Sequence, residues 1–434
     1  MQNDLACTQA LLDFLEKSPT GYSAVREVSA RLEANGFERV SFQTAWDLKP
    51  DGRYYVTRNG SSLLAFTLPK DAQNSFMIAA SHSDSPCFKL KTESEVIAAN
   101  RYLKLNTEGY GGMIVSSWFD RPLSLAGRAI VKNGANFSTE VVTFDRDLCL
   151  IPNVCIHFNR EINNGYKYNQ AVDTLPLLAD TKEKGTVKKL VAERLHVSED
   201  AIVSLDLYVI NRTRGTVFGA DDAFFCAPRI DDLQCAYATL EGFLQAEAPK
   251  AIPVYALFDN EEVGSATKQG AASTFLFDTL TRIAAAQGCA LSEALPASFM
   301  LSCDNGHAKH PNHPELSDVD NSPCMNGGVV IKHNANQRYT TDALSEALFA
   351  EICARADVPV QHFANRSDIA GGGTLGSISN TRVSLKTVDI GLAQLAMHSA
   401  VETAGVKDTA YMIRACKAFF EAALKSEGNT IELL

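Results

Sequence analysis

An α/β domain interrupted by a β-rich insertion is the fold class that three observations predict. Apolar runs of buried-strand type alternate with helical stretches in the first 91 residues and again after residue 226. Between about residues 92 and 225 the texture changes to short β-type runs, glycine turns and polar loops. Finally, acidic motifs stand directly after apolar runs, and the carboxyl ends of buried strands are where open α/β sheets place their sites. A chain of 434 residues suits roughly two or three domains and buries a full core.

In chain order, Ala10 to Leu15 has helical apolar spacing and is stopped by Ser18-Pro19-Thr20-Gly21. A second helix is expected from about Ser23 to Ala34. Tyr54 to Arg58 and Ser62 to Phe66 flank Asn59-Gly60, a hairpin signal. Phe76 to Ala80 reads as a buried strand that delivers Ser81-His82-Ser83-Asp84 to its end. Within the β-rich stretch, Ala129 to Val131 and Val141 to Phe144 are strand-like, and helical periodicity appears only near 188–195. Asp231-Asp232-Leu233 opens a helix to about Gln245. Ile252 to Leu257 and Ala297 to Cys303 are further buried strands, and a last helix is expected from about Thr409 to Ser426.

Composition narrows the function classes. A net charge of -11 disfavours a nucleic-acid partner, since phosphate backbones are met by basic patches. No apolar run reaches the roughly 20 residues needed to span a bilayer. Met1 to Leu5 lacks the basic region of a secretory signal. The 11 cysteines are scattered and never form Cys-x-x-Cys, which argues for reduced thiols in a cytoplasmic protein.

The chemistry sits in separate short motifs. Phe258-Asp259-Asn260-Glu261-Glu262-Val263-Gly264-Ser265 puts adjacent carboxylates after a buried strand, where a cation relieves their repulsion. One can bind metal while the other handles a proton. In His82-Ser83-Asp84, residues two apart point the same way, so His82 can take a metal while Asp84 fixes its tautomer. A turn histidine beside a loop carboxylate is the plainer alternative. Asp231 reads either as a helix cap or, if Asp232 is the cap, as a ligand. Asp304 repeats the strand-end carboxylate design. His398, among apolar residues, reads equally as a core histidine. His307, His310 and His313 lie in a proline-containing loop and no helical face aligns them, so a triple-histidine metal site is disfavoured and His307 is read as a substrate contact. Gly371 to Gly376 matches a dinucleotide-loop pattern without its strand, and a loop at which Gly372 approaches substrate backbone is the better reading.

Taken together, five motifs make the chain resemble the aspartyl aminopeptidases, dinuclear zinc peptidases related to the yeast vacuolar aminopeptidase. They are Ser81 to Cys87, Ala227 to Leu233, Asp259 to Ser265, Ser302-Cys303-Asp304 and Gln394 to Ser399, in the family's order and nearly end to end. The resemblance implies a zinc-peptidase (phosphorylase/hydrolase-like) catalytic domain from 1–91 and 226–434, with 92–225 inserted as a dimerisation domain. It implies two Zn2+ ions, replaceable by Mn2+ or Co2+, on His82, Asp231, Glu262, Asp304 and His398, with Asp231 bridging. Glu261 would be the general base, Asp84 would orient His82, and a hydroxide shared by the ions would attack the peptide carbonyl. Lys332 matches a lysine that pairs with an acidic substrate side chain, and His157 one that reaches a neighbouring subunit's site. Peptides with a free, preferably Asp or Glu, N-terminus are the implied substrates, and a dodecamer of dimers the implied assembly. Neutral N-terminal residues, a related deacylase or a non-catalytic scaffold are the rivals. Asp232, where the family often has Asn, and Arg366 to Ala370 depart from the pattern and bear on substrate preference.

Overall fold

The computed structural model describes residues 2–434. Its largest element is a nine-stranded mixed sheet. The strand order across it is Glu38–Arg39, Arg53–Arg58, Ser62–Thr67, Ala251–Phe258, Gln73–His82, Phe299–Cys303, Lys386–Gly391, Val329–His333, Val360–Ala364. Alternating side chains feed two cores. Leu63, Ala65, Met77 and Ala79 join one, while Leu64, Phe66, Phe76 and Ile78 join the other. Helices Gln2–Lys17, Gly21–Ala34, Ile230–Gln245, Ala343–Arg355 and Asp408–Glu421 contribute to the first core; Phe275–Ala286 contributes to the second. Each fully buried Leu or Phe in these layers contributes about 1.5–3 kcal/mol.

A separate six-stranded sheet is antiparallel throughout and draws only on residues 87–211. Its core, including Phe88, Trp118, Leu125 and Leu207, is closed by Val187 and Val191 of helix Thr186–Leu195. A five-stranded sheet, Thr216–Phe218, Phe224–Ala227, Glu402–Gly405, Ala393–Leu395 and Gly306–His307, runs beside the first.

Several expectations are refined. The first helix extends over Gln2–Lys17, and the second begins at Gly21, where Ser23 and Thr20 cap each other reciprocally. The last helix ends at Glu421, not Ser426. Leu424–Glu427 and Thr430–Leu433 instead form a terminal hairpin, for the chain turns extended at Ala422. The strand expected from Ala297 begins at Phe299, because Pro296 sits in a single 3-10 turn, Leu295–Ala297. No helix of the described residues is long and apolar enough to cross a membrane.

Candidate metal centre

Three neighbouring parallel strands, Ala251–Phe258, Gln73–His82 and Phe299–Cys303, hold Phe258 opposite His82 and Ser302 opposite Ala80. Their carboxyl ends therefore release Glu261-Glu262, His82 and Asp304 at one place. Asp231 arrives from the start of helix Ile230–Gln245. There Asp231 (φ -80°, ψ 112°) and Asp232 (φ -115°, ψ 17°) are not helical and share a cis peptide bond. The Asp232 side chain does not cap the helix, because its oxygens are engaged elsewhere. Its two oxygens accept from the His82 amide at 3.0 Å and the Asn305 amide at 3.2 Å, tying two strand ends together. His398 follows strand Ala393–Leu395 at φ 67°.

The imidazoles are oriented by backbone. His82 Nδ1 lies 3.1 Å from the Asp84 carbonyl, and His398 Nδ1 lies 2.6 Å from the Gly112 carbonyl. A carbonyl only accepts, so each Nδ1 donates and each ring turns its Nε2 inward, where it presents a lone pair when the ring is neutral. His82 Nε2 then faces Asp231 Oδ1 at 3.5 Å, and His398 Nε2 faces Asp231 Oδ2 at 3.2 Å and Glu262 Oε1 at 3.3 Å. In the neutral, metal-binding form of the rings, acceptors are aimed at acceptors. Asp231 Oδ1 and Glu262 Oε1 are moreover buried without any hydrogen-bond partner in the protein, which leaves them open to a cation or a water. The donor set, imidazole nitrogen plus carboxylate oxygen, suits zinc. Two overlapping ligand groups, His82 with Asp231 and Glu262, and Asp231 with Asp232 and Asp304, each gather within 4.8 Å and share Asp231.

Electrostatics agree. Burial would raise Asp231, but His398 and His82 hold it below the usual carboxylate range. Burial pushes Glu262 up to about 7 and Asp304 up to about 6, against the pull of His398 and Lys332 respectively. Burial also lifts Glu261 up to about 8, with Asp304 and Glu262 adding to the rise. Both histidines are driven upward against burial, His398 to about 11, by the carboxylates around them. Such a cluster holds positive charge.

The other sequence-read residues divide. Asp84 orients His82 through its backbone carbonyl. Its carboxylate also stands 3.5 Å from His82 Nδ1 and accepts from the Glu261 and Glu262 amides at 3.1 and 3.2 Å and from the Tyr110 hydroxyl at 2.7 Å. Lys332, His307 and Gly372 line a cleft of about 390 Å³ together with the metal cluster and Glu261. The Lys332 ammonium donates to the Asn305 carbonyl at 2.8 Å and stands 3.9 Å from Asp304 Oδ1; that carboxylate holds it above its ordinary value despite burial. His157 is exposed in a loop outside that cleft. His310 and His313 are also outside it.

Sequence reasoning missed Asp232, Tyr110 and Glu402. Glu402 is 2 % exposed and accepts from the Asp231 amide at 3.0 Å and the His398 amide at 2.6 Å, so one carboxylate fixes the backbone of two residues of the cluster. Its signal was a lone acid within the small and apolar run Ala400 to Ala404.

Imidazoles and carboxylates gathered at parallel strand ends, their inward atoms unserved by protein donors, place the molecule among metal-dependent hydrolases. Comparison with known proteins is more specific. The family model described as "Aminopeptidase I zinc metalloprotease (M18)" matches residues 14–420. A probable M18 family aminopeptidase 2 of Clostridium acetobutylicum is 40% identical over 431 residues, covering 97% of this chain and 100% of the relative. A chain in the cryo-EM structure of the Ape4 and Nbr1 complex superposes with a TM-score of 0.93 at 33% identity, covering 96% of this chain and 86% of that one. A chain of the S. cerevisiae mApe1 dodecamer gives a TM-score of 0.86 at 26% identity, covering 97% of each chain. The chain belongs to the M18 family of zinc aminopeptidases.

Proposed function

We propose that this aminopeptidase removes N-terminal residues, preferentially Asp and Glu, from peptides, with Glu261 as general base. Two Zn2+ ions would be held by His82, Asp231, Glu262, Asp304 and His398, with Asp231 between them. The single observation that carries the metal-dependent reading is the pair of inward Nε2 atoms facing the partnerless oxygens of Asp231 and Glu262. Ions of this kind, when bound, activate water and polarise the scissile carbonyl. Glu261 takes the proton of the attacking water and passes it to the leaving amine as the C–N bond breaks. Asp84 keeps Glu261 in place through its amide, and Asp232 and Glu402 hold the ligand-bearing backbone. An ammonium has three donors, and Asn305 takes one from Lys332, leaving donors for an acidic substrate side chain. The approach of Asp304 to that ammonium favours a second reading, preference for neutral residues.

The division into residues 1–91 with 226–434 and 92–225 is part of this proposal, supported by the confinement of the antiparallel sheet to residues 87–211. Exposed Val154, Ile156 and Phe158 around His157 support a homo-oligomeric contact there. The dodecameric relative makes a dodecamer of dimers the preferred state. A cytoplasmic location is supported by all 11 cysteines being unpaired.

The test is release of free amino acid from matched peptides beginning with Asp, Glu or Leu, and from their N-acetylated forms. Asp and Glu release that chelator abolishes and zinc restores is expected. Cleavage of the Leu peptide alone sinks the acidic preference, and cleavage of acetylated peptides points to a deacylase.

A further inference from the structure

Away from the cleft, the outer edge of the nine-stranded sheet carries another imidazole–carboxylate group. We propose that His333, Glu346 and His362 form a separate transition-metal site there. His333 ends strand Val329–His333, and His362 lies on the edge strand Val360–Ala364. The strands are parallel, with Ile331 opposite His362 and His333 opposite Ala364, so the two histidines point to the same face. Helix Ala343–Arg355 presents Glu346 from its first turn. One oxygen of Glu346 stands 3.8 Å from His333 Nε2, the other 3.4 Å from His362 Nδ1, and the two rings are 5.8 Å apart.

These separations are too long for hydrogen bonds. They match two ligands of one ion: donors each roughly 2.0–2.2 Å from a tetrahedral zinc stand about 3.4 Å apart. The catalytic cluster supplies the internal standard, since its imidazole and carboxylate atoms face each other at 3.2–3.5 Å. Among the described residues, Glu346 has no Lys or Arg partner; its ion-pair neighbours are these two rings. Half-burial and the nearby His362 hold His333 below its ordinary value, in the neutral form that binds metal, against the opposing pull of Glu346.

Two imidazoles and one carboxylate suit Zn2+, Cu2+ or Ni2+ rather than Mg2+ or Ca2+. With side-chain exposures of 33%, 32% and 46% for His333, Glu346 and His362, an ion has a path in, and water can complete the coordination. The consequence reaches the cleft. Lys332 and Phe363, the next residues along the two strands, are register partners and line the catalytic cleft. An ion on His333 and His362 ties together the strands that carry that wall.

The test is metal content and cobalt spectroscopy of the full chain after equilibrium dialysis against Zn2+ or Co2+, comparing wild type with H333A/H362A and with H362A alone. His362 is exposed, so its truncation leaves the core intact. Both variants should hold one ion per chain fewer than wild type and lose the matching share of Co2+ absorption. Glu346→Gln should weaken that ion by at least the roughly tenfold that loss of a supporting group costs. Equal metal content and spectra in wild type and both variants would overturn the proposal. Because the readout is a difference between proteins, it is independent of how many ions the catalytic cleft holds.

Discussion

Buried carboxylates in the two large sheets are served in opposite ways. In the antiparallel sheet, Glu95 is 7 % exposed and accepts from the Gly185 and Val187 amides at the start of helix Thr186–Leu195. In the same sheet the half-buried Asp206 is held by Arg128 at 2.8 Å and Lys89 at 3.1 Å. Both find their donors within the protein. At the strand ends of the parallel region, Asp231 and Glu262 keep oxygens with no donor at all. A buried charge that the fold satisfies is architecture; one that it leaves unsatisfied marks a place for something from outside.

Substitutions can break this contrast, the largest effect first. Glu261→Gln should lower turnover by about 10²–10⁴-fold while zinc content, measured by metal analysis, stays unchanged. Near-normal turnover would remove Glu261 from its role. Glu95→Ala strands two helix-start amides and should cost about 1–3 kcal/mol in urea unfolding. Its activity per folded molecule should match wild type, and a large kinetic defect would erase the distinction between the two sheets. Lys332→Ala should raise KM for Asp peptides by about tenfold, or roughly 1.4 kcal/mol, and much less for Leu peptides. Equal effects would deny it a part in specificity.

Asp206→Asn carries the smallest expectation, at most about 1 kcal/mol at neutral pH. Burial alone would raise Asp206, but Arg128 and Lys89 hold it below the ordinary 3.8. Since the folded value is the lower one, its contribution is present above pH 3.8 and lost as pH falls through the folded value. Urea midpoints of wild type and variant should therefore converge on acidification. A gap that persists at low pH would show a packing effect instead.

The candidate site was legible where chemistry follows local pattern. Strand-end carboxylates announce themselves by the apolar run before them, and Asn59-Gly60 by the turn it requires. What was illegible is mostly topology. Nothing local says that Ala251–Phe258 slots between Ser62–Thr67 and Gln73–His82, yet that order sets Glu261 beside His82. Asp232 reads as a cap because its true partners, the amides of His82 and Asn305, are distant in sequence. His333 and His362 meet only through strand pairing, so their spacing carries no motif. Gly391 is similar. A Cβ there would lie 1.9 Å from the Asp304 carbonyl oxygen, a constraint that appears only once the strands are assembled.

Tyr110 and Gly112 lie at and just beyond the end of strand Tyr102–Tyr110 of the antiparallel sheet, yet they touch Asp84 and His398. The Ile114 amide also donates to the His398 carbonyl at 2.9 Å. For protein engineering, this sheet is consequently not a detachable accessory. A shortened chain made by splicing it out would lose the carbonyl that His398 Nδ1 donates to and a hydrogen bond to Asp84 beside the loop bearing Glu261. Grafting another module in its place requires carrying the segment from Tyr110 to Ile114 along with the residues outside the sheet.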